Sequence, residues 1–165
     1  MQLPDTFTKH KACINAVIET PAKCAAKYSY DEAGGFFKLK KILPAGMFFP
    51  FHFGFVPHTK AADGDPLDVM ILMDEPAWPG CVVESRIIGI LKAREKKDDK
   101  LRRNDRLIAT ALASERYSRI KEFSKLDAAL QNEIILFFNT YNALEEKDFE
   151  IIATGNSNEA LKTIK

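Results

Sequence analysis

The apolar run Val69-Met70-Ile71-Leu72-Met73 is too short for a buried helix and reads as a covered strand. It is entered directly from Asp63-Gly64-Asp65-Pro66-Leu67-Asp68. Three carboxylates thus stand within six residues at the mouth of a rigid element. Gly64 permits an unusual backbone angle and Pro66 fixes the next one, so the acids share one geometry instead of moving freely. Carboxylates this close repel one another unless a cation lies among them. Hard oxygen donors suit Mg2+ or Mn2+, which keep several waters and commonly share the remaining positions with phosphates. The same Asp/Gly/Pro composition also builds ordinary turns. An EF-hand is excluded, because Leu67 and a strand stand where that loop needs a further Asp or Asn, a Gly and a terminal Glu.

The chain around this stretch is strand-rich. Residues up to about Lys11 read as an arm. From Ile14 the residues alternate, with Ile14, Ala16 and Ile18 on one face and Asn15, Val17 and Glu19 on the other. Lys27-Tyr28-Ser29-Tyr30, a turn at Asp31 to Gly35, and Phe36 to Ile42 predict a hairpin. Phe48 to Pro57 is dense in aromatics and reads as core packing, with His52 a packed, hydrogen-bonded residue given no role. Cys81 to Leu91 predicts the most apolar strand. Lys92 to Arg106, with eight Lys or Arg against four Asp or Glu, predicts a long charged hairpin loop, and Leu107 to Thr110 resumes the sheet. A short helical turn is expected at Tyr117 and Ile120. Apolar residues at three- and four-residue spacing from Leu126 to Tyr141 predict an amphipathic helix. A strand over Phe149 to Ala153 and a terminal helix opened by the Asn156-x-x-Glu159 capping box complete the chain.

Asp-Gly-Asp-Pro-Leu-Asp-Val resembles the signature of the soluble family I inorganic pyrophosphatases, and the likeness extends from about Ile14 to Glu150. The resemblance implies an α+β, mainly β fold: a five-stranded OB-like closed β-barrel with flanking helices, residues 1–165 forming one domain. It implies hydrolysis of inorganic pyrophosphate to two phosphates with Mg2+ (Mn2+ possible). By the same resemblance Asp65 takes the proton of the attacking water, Asp63 and Asp68 ligate metal, and Glu19, in its Val-Ile-Glu-x-Pro context, is a metal-site acid. Lys27, Lys41, Arg106 and Tyr141 hold phosphate. In the family a first Asp opens the charged loop and an Asp-x-Lys closes it. Counting back from Leu107 puts these on Glu95 and on Asn104-Asp105-Arg106, so Asn104 or its neighbour Asp105 is the expected ligand. Asp98-Asp99-Lys100 spells the same motif but would push the polar run Arg102 to Asp105 into the strand, and that register is rejected.

Several positions depart from the family pattern. Ser29 and Asn104 replace carboxylates, and Asn142 replaces a lysine. Phe49 and Phe53 replace tyrosines, Lys41 an arginine and Arg106 a lysine, while Glu95 is a milder change. A working enzyme is therefore weighed against a catalytically weak paralogue that binds a diphosphate as sensor or scaffold. A third alternative is an OB-type module for single-stranded nucleic acid, which the acidic cluster disfavours. A net charge of +1 implies no general attraction to polyanions or membranes. Three cysteines without Cys-x-x-Cys pairing read as reduced thiols, and no apolar run approaches membrane length, so a cytoplasmic protein is expected. By analogy with bacterial members of this length, the chain is expected to form a homo-oligomer, a hexamer in particular.

Overall fold

The computed structural model describes residues 2–10, 12–97 and 99–164. In chain order the elements are β1 (Cys13–Thr20), β2 (Ala26–Asp31), β3 (Phe36–Ile42), β4 (His52–Val56), β5 (Leu67–Leu72), β6 (Val82–Lys97), β7 (Lys100–Arg103) and β8 (Arg106–Ala111). A 3-10 turn (Phe123–Lys125), α1 (Ala128–Leu144), β9 (Asp148–Asn156) and α2 (Ser157–Leu161) follow. This is the mainly β architecture with few helices that the sequence predicts. β1 pairs with β4, β4 with β5, β5 with β8, β8 with β6, and β6 again with β1. All of these pairs are antiparallel except β5 with β8. β2 and β3 form the separate expected hairpin.

The apolar run of β5 is unbroken because both of its faces are covered. Leu67, Val69 and Ile71 join a core with Ile14, Ile18, Ile87 and Leu107, while Met70 and Leu72 point to a second core with Phe53, Ile88, Phe137 and Phe138. Each such side chain contributes roughly 1.5–3 kcal/mol by leaving water. Period-two alternation between two cores leaves no polar position from Val69 to Leu72, as in other strands buried on both faces, and the one polar residue of β5, Asp68, stands near its start. β4 approaches β1 so closely at Gly54 that a Cβ there would lie 1.9 Å from the Val17 carbonyl oxygen. That contact locks β4 onto β1, with Phe53 opposite Thr20 and Phe55 opposite Val17.

Three expectations need correction or bounding. The segment from Lys92 to Arg106 is not a loop: β6 runs on to Lys97, flanked by β7 on one side and β9 on the other, and all of β7 is exposed. Backbone pairing supplies the strand although its side chains are charged. The helical turn expected at Tyr117 and Ile120 is a series of hydrogen-bonded turns, and the 3-10 turn comes later, with Phe123 buried. The arm expected up to Lys11 ends outside the described residues, and the part before it lies against β1 through a Phe7–Ile14 bridge. α1 starts at Ala128, capped by Asp127, which accepts from the Ala129 N–H. The terminal capping box forms as predicted, with Asn156 and Glu159 exchanging hydrogen bonds.

Candidate active site

The acidic loop is shaped by its own backbone. The Ala61 N–H donates to the Asp65 carbonyl at 2.7 Å and the Gly64 N–H to the Ala61 carbonyl at 3.1 Å, with Gly64 at φ +98°. The Asp65 N–H donates to Asp63 Oδ1 at 3.2 Å. Thr59 ties the loop to the sheet: its hydroxyl donates to the Val56 carbonyl at 2.6 Å and accepts from the Leu67 N–H at 2.9 Å. Asp63 and Asp65 are exposed, whereas Asp68 lies half-buried on β5. Glu19, at the end of β1, accepts from the Tyr30 N–H at 2.7 Å.

The carboxylates feel one another. Burial pushes the Glu19 carboxyl up to about 7, with Asp68 and Asp65 adding to the rise while the Tyr30 N–H and Lys27 oppose it. Burial likewise raises the Asp68 carboxyl, Asp63 and Asp65 reinforcing it and Arg106 and Lys27 working against it. Four acids thus crowd a space served by two cations. Among the described residues, no three His, Cys, Asp or Glu side chains stand close enough to form a ready-made metal cage. The residues nonetheless fit a hard divalent ion: the donors are all oxygen, burial with acidic neighbours raises the Glu19 and Asp68 carboxyls in the absence of a cation, and an ion that keeps its waters needs only one or two direct carboxylates.

The charged strands bring further groups. On β6, Glu95 accepts from Asn104 Nδ2 and lies 3.7 Å from Lys147 Nζ. Arg106, at the start of β8 and buried, sits 3.0 Å from Asp68. Asp105 is engaged elsewhere, accepting from the Ala93 N–H at 2.9 Å and from Arg103 at 2.7–3.0 Å. The rejected motif falls at the tip between β6 and β7, with Asp98 outside the described residues. The equally polar Lys100 to Arg103 forms a strand, β7, and Asn104 and Asp105 lie between it and β8.

The opposite wall is basic and aromatic. Lys27 and Lys41 are register partners on β2 and β3. Lys27 Nζ donates to the Tyr141 hydroxyl at 2.9 Å, and the two ammonium groups stand 5.1 Å and 5.0 Å from the Tyr141 ring centre. Beneath them Phe49 packs against Phe53, Phe137 and Tyr141 at 5.0–5.6 Å. Phe49 and Phe53 are core residues, so the hydroxyls absent here belong to buried positions. Lys41 pairs with Glu145; burial works against its charge, but Glu145 and Tyr141 outweigh that and raise its pKa. Asn142 is buried and turned onto its own helix, donating to the Phe138 carbonyl at 2.7 Å. His52 is packed as expected, Nδ1 accepting from the Ala22 N–H and Nε2 facing the Glu75 carbonyl.

Residues 16–165 match the family model for inorganic pyrophosphatase. The chain belongs to the inorganic pyrophosphatase family. It is 35% identical over 151 residues to the inorganic pyrophosphatase of Halalkalibacterium halodurans, covering 92% of this chain and 90% of that one. It is 37% identical over 139 residues to that of Synechocystis, covering 84% and 80%. Among solved structures, the inorganic pyrophosphatase of Thermus thermophilus superposes with a TM-score of 0.89 at 33% identity, over 98% of this chain and 92% of that one.

For a pyrophosphatase of this family, the structure brings Glu19, Asp63, Asp65, Asp68, Lys27 and Arg106 into one electrostatic neighbourhood, with Lys27 linking it to Tyr141 and Lys41. Glu95 and Asn104 join through Arg106, which donates to Asn104 Oδ1. Sequence reasoning missed Thr59, Glu145 and Lys147. Glu145 had a readable signal, four residues after Tyr141 and so on the same helix face. Lys147 follows Glu146, which has φ +54°, and only the turn after α1 brings it to Glu95.

Proposed function

We propose that this chain hydrolyses inorganic pyrophosphate to two phosphates with Mg2+ or Mn2+. The observation that carries the reading is Lys27: it acts on the Asp68 and Glu19 carboxylates and bonds to Tyr141, so the acidic mouth and the basic wall enclose one site. Asp63, Asp68 and Glu19 are the acids suited to divalent ions, with Glu95, Asn104 and Asp105 at the site's edge. When bound, such ions neutralise phosphate oxygens and acidify the attacking water. Asp65, exposed at the loop tip, takes the proton released as the water oxygen bonds to phosphorus and the bridging P–O bond breaks, its electron pair leaving with the second phosphate. Lys27, Lys41 and Tyr141 bind the phosphates and hold the departing one. Arg106 neutralises Asp68 from behind and is the remaining phosphate candidate.

The pairing that runs from β1 through β4, β5, β8 and β6 back to β1 supports a five-stranded OB-type barrel as the scaffold. We place the protein in the cytoplasm as a homo-oligomer, a hexamer by analogy, and light scattering at micromolar concentration tests the assembly, a monomer mass refuting it. The activity test is phosphate release from pyrophosphate with saturating Mg2+ on purified protein. Release above blank supports the enzyme. No release leaves the diphosphate-binding sensor, the reading that Asn104 and Asn142 favour.

A further inference from the structure

A single nitrogen, Arg106 Nη1, is approached by four oxygens. They are Asp68 Oδ2 at 3.0 Å, the Asn104 carbonyl at 3.2 Å, the Asp105 carbonyl at 3.0 Å, and Asn104 Oδ1. One Nη carries two hydrogens and cannot make well-aligned bonds to four acceptors. The oxygens are therefore gathered around its charge more than along its N–H directions. The set is one carboxylate, one side-chain amide and two main-chain carbonyls, which is the donor chemistry of a hard cation. Asn104 is oriented for this, because its Nδ2 donates to Glu95 and leaves Oδ1 for Arg106. The guanidinium is buried, with its carbon 5.7 Å from the Phe149 ring centre, and a buried charge is tolerated only when its partners surround it in this way.

We propose that Arg106 is a resident cation occupying a position that a divalent ion would otherwise take, so that the chain binds one fewer metal per subunit than its oxygen donors permit. Arg106 is then a positioning and charge-setting residue. It satisfies one oxygen of Asp68, Oδ2, and it explains why a neutral Asn at 104 suffices, since the nest already holds a full positive charge against the Asp68 carboxylate. This rests on the reading of the mouth as a cation site.

The test counts metal without turnover: equilibrium dialysis of Mn2+ against the full-length protein, free of substrate. Arg106→Met keeps the apolar stem and removes the charge. It is expected to bind one more Mn2+ per chain than the natural protein, and its melting temperature, lowered without metal, should recover on adding Mn2+ by more than the natural chain gains. Arg106→Lys, which retains a cation, should keep the natural count. An unchanged count in folded Arg106→Met overturns the proposal. Should that variant not fold, Asn104→Asp decides the matter: with Arg106 in place the added carboxylate brings no further Mn2+, and an additional ion in Asn104→Asp overturns the proposal. A natural chain that binds no Mn2+ would defeat the hydrolase reading, while the difference between it and Arg106→Met would still report on the nest.

Discussion

The acids at the strand mouths and the lysines across from them are held by different means. Glu19 and the Asp63–Asp65 loop are fixed by main-chain N–H groups and by Thr59, that is, by the sheet itself. Lys27 and Lys41 are fixed by side chains of α1 and its C-cap: a phenol, an aromatic face and the Glu145 carboxylate. The acidic half is therefore built before any ion arrives and stays under electrostatic tension, whereas the basic half is parked on partners that a phosphate can replace. Backbone-held groups keep their geometry when charge is altered. Side-chain-held groups change their availability.

The sharpest way to break this contrast is to remove metal. A chelator should reduce phosphate release to blank while the far-ultraviolet circular dichroism stays unchanged, because no ion is needed to hold the acids in place. Loss of secondary structure on chelation would mean that the acidic half is metal-built after all. Next in size, Asp65→Asn should lower turnover by about two orders of magnitude, the usual loss for a general base, and leave Mn2+ affinity intact. Asp68→Asn should weaken Mn2+ binding itself, and equal affinities in the two variants would contradict the division of roles.

The tension within the acidic half has a pH signature. Glu19 holds its proton to about pH 7 in the fold but loses it near 4.5 when unfolded. Its contribution to stability is thus complete below 4.5 and is lost as pH rises through 7, a swing on the order of 3 kcal/mol. Asp68, also raised, acts in the same sense. His52, whose pKa burial lowers, acts oppositely, being costly below 6.5. The informative quantity is therefore the difference between the metal-free natural chain and Glu19→Gln: the variant's advantage in melting temperature should grow from pH 5 to pH 7.5 and shrink on adding Mg2+. A flat difference would show that Glu19 is not under charge tension.

The smallest effect belongs to the basic half. Glu145→Gln frees Lys41 from a partly exposed ion pair of the kind worth up to about 1 kcal/mol, so KM for pyrophosphate should fall about two- to fivefold with kcat little changed. A rise in KM would show that Glu145 positions Lys41 and does not compete for it.

What was readable from the residues alone is what short-range physics decides. The apolar run at Val69 sets a strand buried on both faces, the three- and four-residue spacing to Tyr141 sets α1, the Asn156–Glu159 box starts α2, and Gly64 and Pro66 shape the acidic turn within a few residues of themselves. The family signature lay in that same local stretch. The sequence alone does not show β6 extending through Lys92 to Lys97, because those residues carry little apolar signal and are strand only through pairing with β7 and β9. Nor does it separate Asn104 from Asp105. Adjacent residues leave a backbone in different directions, and only the packed sheets show Asn104 between Glu95 and Arg106 with Asp105 on Arg103 and the Ala93 N–H. The pairing of Lys41 with Glu145, 104 positions away, likewise depends on where α1 settles. Such choices rest on contacts between distant segments, whose geometry exists only once the core has closed.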